Sequence, residues 1–446
     1  MTLLEIANDA IQQALDAGAT DAECTIAEGE EFSVQVRRGE VETIKQAASR
    51  GMGLRILVGS YTGSSYTSDL SPEGVRHMVA QAMELAAVTT EDPFAGLPEA
   101  SDFGAVAGDL GLYSSDVEGL DPAVKIEIAR CAEDAALKFD ARITNSDGGS
   151  FDSQLGRRVF ANSRGFAGEY RSSYCSVSAS AVAKLGDQME RDYWYHSARR
   201  FTDLEKPDYV GRRAAERTLR RLGSVKMETQ RVPVIFEPRV ARSMMGHIFE
   251  AIEGRSVYRQ STFLAGKLGE TVAARGVTVI DDGTIPGLFG TQPFDDEGIP
   301  TRRTPVIEKG VLKSYLLNTY SARKLGLKST GNASRGITGN AGVGHGNFYL
   351  EAGTRTPEEL IASVPNGFYV TELIGSGVNV STGDYSRGAA GLWIRNGELA
   401  FAVSEVTIAG TLQQMLMTME VGNDLEFRGS VAAPTLYIPE MTVGGR

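Results

Sequence analysis

The chain has 446 residues, 42% apolar and 23% charged, with a net charge of −12. That length buries one large core or two to three domains, and the acidic balance excludes the concentrated positive field that direct nucleic-acid binding needs. No apolar run approaches the roughly 18 residues of a membrane helix, and three widely spaced cysteines, Cys24, Cys131 and Cys175, argue for a reducing compartment and against a disulfide framework.

The opening Met1-Thr-Leu-Leu-Glu-Ile-Ala-Asn-Asp is acidic and amphipathic, without the basic start and apolar centre of a signal peptide, so the expectation is a cytoplasmic protein. A first helix is predicted from about Leu3 to Asp16, with Leu4, Ile11 and Leu15 on one face and Gly18 ending it. Short strands are predicted at Glu23-Cys-Thr-Ile, Phe32-Ser-Val-Gln-Val and Val41-Glu-Thr-Ile, the last two joined by a turn at Arg38-Gly39. Leu54-Arg-Ile-Leu-Val and Ser64-Ser-Tyr-Thr-Ser read as further antiparallel strands. Ser71-Pro72-Glu73 starts a helix running to about Ala87, and Asp121-Pro122 starts another reaching about Phe139. Strands resume around a turn at Ser163-Arg-Gly165, and Leu204 to Leu222 forms a third long helix, capped by Gly223. On that helix Arg212, Arg213, Arg217, Arg220 and Arg221 lie among acids such as Asp208 and Glu216, which reads as a solvated helix face.

After Met227 the texture changes. Val232-Pro-Val-Ile-Phe is a short buried strand, a helix bearing His247 follows, and then come many short strands with frequent glycine. Glu308-Lys-Gly310 joins two of them, and Asn396-Gly397 joins Leu392-Trp-Ile to Leu399-Ala-Phe-Ala-Val as a hairpin. The expected fold class is therefore α+β. Residues 1–225 form an N-terminal domain of antiparallel sheet with packed helices, and residues 226–446 a C-terminal domain of short antiparallel strands with a few helices.

The stretch Arg242-Ser-Met-Met-Gly-His247-Ile-Phe-Glu250 approximates a zinc-peptidase helix, in which His-Glu is followed one turn later by a second His. His247 is present, but a cation and a hydroxyl stand where a ligand and a general base would be. His247 and Glu250, three residues apart, share a helix face, while Arg242 repels a divalent ion and does not lose its proton. His77, His196 and His345 read as surface, structural and loop residues, with a ligand role for His345 as an alternative. Ser243 has no nucleophile elbow or triad around it, and Cys175 lies among residues that would not activate it. Thr338 to Gly346 lacks the Lys-Ser/Thr of a phosphate loop and reads as a loop bordering a cleft. Asp281-Asp282-Gly and Asp295-Asp296-Glu297-Gly read as turns, with hard-cation binding as an alternative.

The order Asp281-Asp-Gly, Asp295-Asp-Glu-Gly-Ile-Pro, Thr330-Gly-Asn-Ala-Ser-Arg-Gly336, Ser381-Thr-Gly-Asp-Tyr-Ser-Arg-Gly388, Val421-Gly-Asn-Asp-Leu-Glu-Phe427 and Pro434-Thr-Leu resembles the TldD/PmbA family, within it the PmbA (TldE) branch. The resemblance spans nearly the whole chain and is densest from about 240 onward. It implies a metallopeptidase of two related subunits, in which the TldD-type subunit holds zinc through His-Glu-x-x-x-His and a later Cys. On this chain those positions match Arg242, Ser243 and His247, and no cysteine follows Cys175. The resemblance thus implies no metal or catalytic residue here, a vestigial helix of Arg242, Ser243, His247 and Glu250, and zinc in a TldD-type partner. It also implies unfolded or small peptides as substrates and allows a homodimer of the isolated chain. Two other readings stay open: an autonomous hydrolase with rearranged ligands His247, Glu250 and His345, and a non-enzymatic peptide-binding regulator.

Overall fold

The computed structural model describes residues 1–445. It begins with helix α1 (Leu3–Asp16), whose Thr2 cap and Glu5 exchange hydrogen bonds as a capping box. A sheet follows from β1 (Asp21–Arg37), β2 (Glu40–Val58) and β3 (Tyr61–Thr67), then α2 (Pro72–Val88), the one-turn α3 (Ser115–Glu118) and α4 (Pro122–Leu137). Strands β4 (Ile143–Asn162), β5 (Ala167–Leu185) and β6 (Gln188–Ala198) complete the sheet in the order β3-β2-β1-β4-β5-β6, every pair antiparallel. Helix α5 (Pro207–Leu219) closes this part.

The predicted helix starts hold because they are chemically local. Ser71 and Asp121 each accept a backbone N–H at a helix start that carries proline in its first turn. The strands differ from expectation. Glu23–Ile26 and Phe32–Val36 belong to one 17-residue strand, and Val41–Ile44 and Leu54–Val58 to one 19-residue strand. Residues 40–50 of β2 are exposed throughout, so this stretch carries no inside–outside alternation to read. Even-numbered positions of β1 (Cys24, Ile26, Phe32, Val34, Val36) pack under the helices, whereas Glu23 and Thr25 point to the opposite face.

The remaining chain runs β7 (Gln230–Phe236), α6 (Pro238–Ile252), α7 (Gly254–Tyr258), β8 (Val279–Asp282), β9 (Arg303–Glu308), β10 (Val311–Leu312), α8 (Thr319–Leu325), β11 (Ala333–Ser334), β12 (Gly342–Val343) and β13 (Asn347–Leu350). It ends with α9 (Pro357–Ala362), β14 (Asn366–Ile374), β15 (Val378–Asn379), β16 (Asp384–Arg395), β17 (Glu398–Thr411), α10 (Leu412–Thr418), β18 (Glu420–Val421), β19 (Val431–Ala432) and β20 (Leu436–Gly444). Strands β14, β7, β20, β17 and β16 pair in sequence, and β16 pairs back to β14, so the sheet closes on itself. Val234, Phe236, Phe368 and Trp393 enter the large core, while Ile235 and Ile394 face outward under α9. The strands are not uniformly short or antiparallel: β16 and β17 hold 12 and 14 residues, and β7–β14 and β13–β19 are parallel. Pro233 is tolerated inside β7 because the ladder with β20 is bulged opposite it, between Ile438 and Met441.

The helix-free face of the first sheet receives the segment between β11 and β12. A Cβ on Gly53 would lie 1.4 Å from the Ile337 carbonyl oxygen, so only glycine lets β2 and this segment touch. Gly53→Ala is expected to cost about 3 kcal/mol in urea unfolding through overpacking and to open residues 335–341 to limited proteolysis. Gly246→Ala, exposed in mid-helix with open space around it, is expected to stabilise by about 0.5–1 kcal/mol. Matching midpoints for the two variants would contradict the packing argument.

Candidate functional site

Helix α6 turns its apolar face, Ala241, Met244, Met245, Ile248 and Ile252, into the core. Its other faces meet two clefts between the halves of the molecule. At its N-terminal end, Arg239 donates to the Tyr193 carbonyl at 2.9 Å and Arg242 to the Tyr195 hydroxyl at 2.9 Å. Arg239, Arg242 and Tyr195 share a cavity of about 210 Å³ with Trp194, Arg213, Arg217, Arg220, Arg428 and the segment Val431–Ala433. At the other end Phe249 and Glu250 line a cleft of about 630 Å³ with Arg55, Glu253, Tyr258, Tyr320 and the residues 340–343.

The four motif residues do not converge on one point. Arg242 and His247 are five residues apart, about 140° around the helix. Ser243 donates to the Val240 carbonyl at 2.7 Å within its own helix. The His247 ring stands edge-on to Tyr385, with centroids 6.0 Å apart. Burial, and then the nearby Arg387 cation, push the His247 pKa below its ordinary value, so the ring is neutral at neutral pH. Glu250 is exposed. His345 packs edge-on against Phe249, and its Nδ1 lies 2.9 Å from the Gly346 carbonyl. His77 is exposed beside Gln81, and His196 accepts a hydrogen bond from the Glu205 amide. Among the described residues, no three His, Cys, Asp or Glu side chains form a group that could hold a metal ion. Cys175 is buried and its thiol pushed up to about 12 by that burial, which makes it an inert packing residue.

The acidic turns are buried. Asp295 accepts from the amides of Glu297, Ile299 and Ala333, and Glu297 accepts from the amide and hydroxyl of Thr319. Asp281 accepts from Asn332 and the Gly346 amide, and burial pushes its carboxyl up to about 7. These carboxyls brace the loops around α6. Residues 340–343 border the larger cleft as the sequence suggests, and Gly342–Val343 forms a short strand pairing with β11.

The arginine-rich helix departs most from expectation. Arg212 and Arg213 do form surface pairs with Asp208 and Glu216. Arg217 is only 3% exposed and pairs with Glu237 at 2.7 Å and Asp192 at 3.2 Å. Arg220 reaches Glu237 at 2.9 Å, and Arg221 binds Glu190 and Glu372. Burial alone would raise the Glu237 pKa, but the guanidiniums of Arg217 and Arg220 outweigh it and hold it below the usual range. The reason the sequence misleads is distance along the chain: the partner acids lie on β6, before α6 and on β14, not one turn away. Trp194, with three guanidiniums over its ring (Arg428 at 4.4 Å, Arg217 at 5.3 Å and Arg213 at 5.4 Å), is the other residue that sequence reasoning passed over.

The helix-and-sheet unit and the closed β-sheet unit, with a histidine-bearing helix between two clefts, are together covered by three consecutive metallopeptidase family models. "PmbA/TldA metallopeptidase domain 1" matches residues 22–86, the central domain 115–222 and the C-terminal domain 229–445. The chain belongs to the PmbA/TldD metallopeptidase family. It is 40% identical over 446 residues to the metalloprotease PmbA of Escherichia coli O157:H7, covering 99% of this chain and 97% of that one. It is 36% identical to the PmbA homolog of Haemophilus influenzae, covering 98% and 94%. A crystal structure from Bacteroides thetaiotaomicron, described as a putative modulator of DNA gyrase, superposes with a TM-score of 0.92 at 29% identity over 99% and 98% of the two chains. TldE of Thermococcus kodakarensis, at 22% identity, shares the fold with a TM-score of 0.89 over 99% and 100%.

Two outcomes follow. Glu237→Gln leaves the buried Arg217 and the half-buried Arg220 short of charge and is expected to destabilise by about 3–5 kcal/mol in denaturant titration; a change below 1 kcal/mol would deny the cluster its role. For Asp281, the unfolded carboxyl ionises near its ordinary 3.8 and the folded one near 7, so the native state binds more protons between those values. Its contribution to stability therefore falls as pH rises from about 4 to 7, by at most about 4 kcal/mol, and is level above. Asp281→Asn is expected to flatten the pH 5-to-8 decline relative to the unmodified chain.

Proposed function

We propose that this chain is the subunit without a zinc site in a two-subunit cytoplasmic metallopeptidase that breaks down or processes unfolded and small peptides. The observation that carries the reading is Arg242, a permanent cation hydrogen-bonded to Tyr195 at the motif position where a zinc ligand would stand. The donor set does not fit a zinc ion. Ser243 is turned onto its own helix, the lone imidazole of the motif faces Tyr385, and no thiolate follows Cys175. Zinc is accordingly assigned to a TldD-type partner, and no chemical step is assigned to this chain's own residues.

Its role is to hold substrate and help enclose it. Strand β19 ends the five-stranded sheet, with β13 as its neighbour there, and its residues line the Arg242 cavity. A terminal strand of this kind holds an extended chain through backbone hydrogen bonds, largely independent of sequence. Cytoplasmic placement agrees with free cysteines and with the lack, among the described residues, of any helix long and apolar enough to cross a membrane.

A tagged pull-down from native cells tests the assignment, followed by zinc and peptidase assays on the complex and on each subunit. Expected are co-purification of a zinc-containing partner, activity in the complex, and less than about 0.1 zinc per copy of this chain alone, since a closed site would bind far more tightly. One zinc per isolated chain together with peptide cleavage would overturn it.

A further inference from the structure

The cavity at the start of α6 has a charge count that its own residues leave open. Six guanidiniums line it: Arg213, Arg217, Arg220, Arg239, Arg242 and Arg428. Five of them are paired, through Glu216, Glu237, Asp192, Glu205 and Glu426. Only two of those carboxylates, Glu237 and Glu426, line the cavity themselves, so its wall is strongly cationic. Among the described residues, Arg242 is the lining guanidinium with no carboxylate at ion-pair distance, and its hydrogen bond goes to a neutral phenol. The Nε groups of Arg213, Arg217 and Arg220 are also buried without a hydrogen-bond acceptor there. Arg217 Nε does lie 3.2 Å from Asp192, as an ionic contact outside hydrogen-bond geometry. The N-terminus of the 15-residue helix α6 adds partial positive charge, since Pro238 and Arg239 line the same space.

We infer that this cavity is a receptor for one carboxylate of a peptide, with Arg242 as the group that takes it. The chemistry selects the class. One guanidinium left without an acidic partner suits a single carboxylate. A guanidinium fork offers the parallel donors that a carboxylate accepts. The volume of about 210 Å³ admits one end group or side chain, and Val431, Ala432 and Ala433 give its aliphatic part an apolar wall. That the carboxylate belongs to a peptide rests on the function proposed above; it comes either from a chain terminus or from an Asp or Glu side chain.

Calorimetric titration of the full-length chain alone tests this with three acetylated hexapeptides of one neutral sequence. One ends in a free carboxylate, one in an amide, and one in an amide with a single internal Glu. At least one acidic peptide is expected to bind about tenfold or more tightly than the neutral amide, and which one does so names the source of the carboxylate. Arg242→Gln is expected to erase that preference at an unchanged melting temperature. Arg242→Lys, which keeps the charge and loses the fork, is expected to retain part of it and so secures the test should the first variant not fold. Equal affinities for all three peptides, no binding, or a preference that survives Arg242→Gln or is undiminished in Arg242→Lys would overturn the inference. Because the chain is titrated alone, failure to find a zinc-bearing partner leaves this result untouched, and failure here leaves the pull-down intact.

Discussion

Glu237 is the point on which the arrangement of the two halves turns. Its carboxylate is buried, and it is met by Arg217 of α5 and by Arg220 just past its end, while Asp192 of β6 takes the far side of Arg217. Such a cluster gives little net stability, because removing the ions from water costs about as much as their attraction returns. What it supplies is position. A misplaced partner would leave an unpaired buried charge, so the start of α6 is held to within hydrogen-bond length of the first sheet. Arg239 and Arg242, two and five residues on, then arrive at Tyr193 and Tyr195 as a consequence.

A second junction fixes the opposite cleft. Glu23 on β1 is shared by Arg55 of β2 and by Arg335, which follows β11. Arg335 also donates its amide to Asp296, and Asp296 pairs with Arg158 of β4 at 2.8 Å. Beside them Gly53 admits Ile337 by its missing side chain. The segment so pinned continues into Asn340–Val343, the wall of the larger cleft, and Arg55 reaches Asn340 at 2.8 Å. The first sheet therefore shapes both clefts while the α6 core lies wholly in the other half.

What was legible in the sequence was local. Ser71, Asp121 and the Arg38-Gly39 and Asn396-Gly397 turns announce themselves because the groups that satisfy each other lie within a few residues. Left-handed backbone at Arg38 and Asn396, each followed by a left-handed glycine, completes the tight hairpins. The long ribbon of β1 and β2 was not legible, since its middle is solvated and leaves no period to read. Closure of the C-terminal sheet depends on β7 pairing with β14, more than 130 positions on, which no short window contains. At the site, the identity of Arg242 was plain and its surroundings were not. Tyr195, Trp194 and the buried arginines come from elements whose proximity only the fold creates.

That distinction bears on how a replaced metal ligand is read. Taken as a motif, Arg242 is one exchanged position, and restoring histidine would seem to restore the chemistry. In the folded chain the cation is one member of a setting with the same polarity. Arg239 and Arg428 flank it, Trp194 gathers three guanidiniums against its ring, and the positive end of α6 opens beside them. A divalent cation at this spot would meet repulsion from residues outside the motif as well as from Arg242, in a half-buried space where water screens little. The cavity is built for negative charge by the same residues that lock the two halves together. Reversing its polarity would take changes at those residues as well as at position 242, and so would loosen the junction that holds α6 in place.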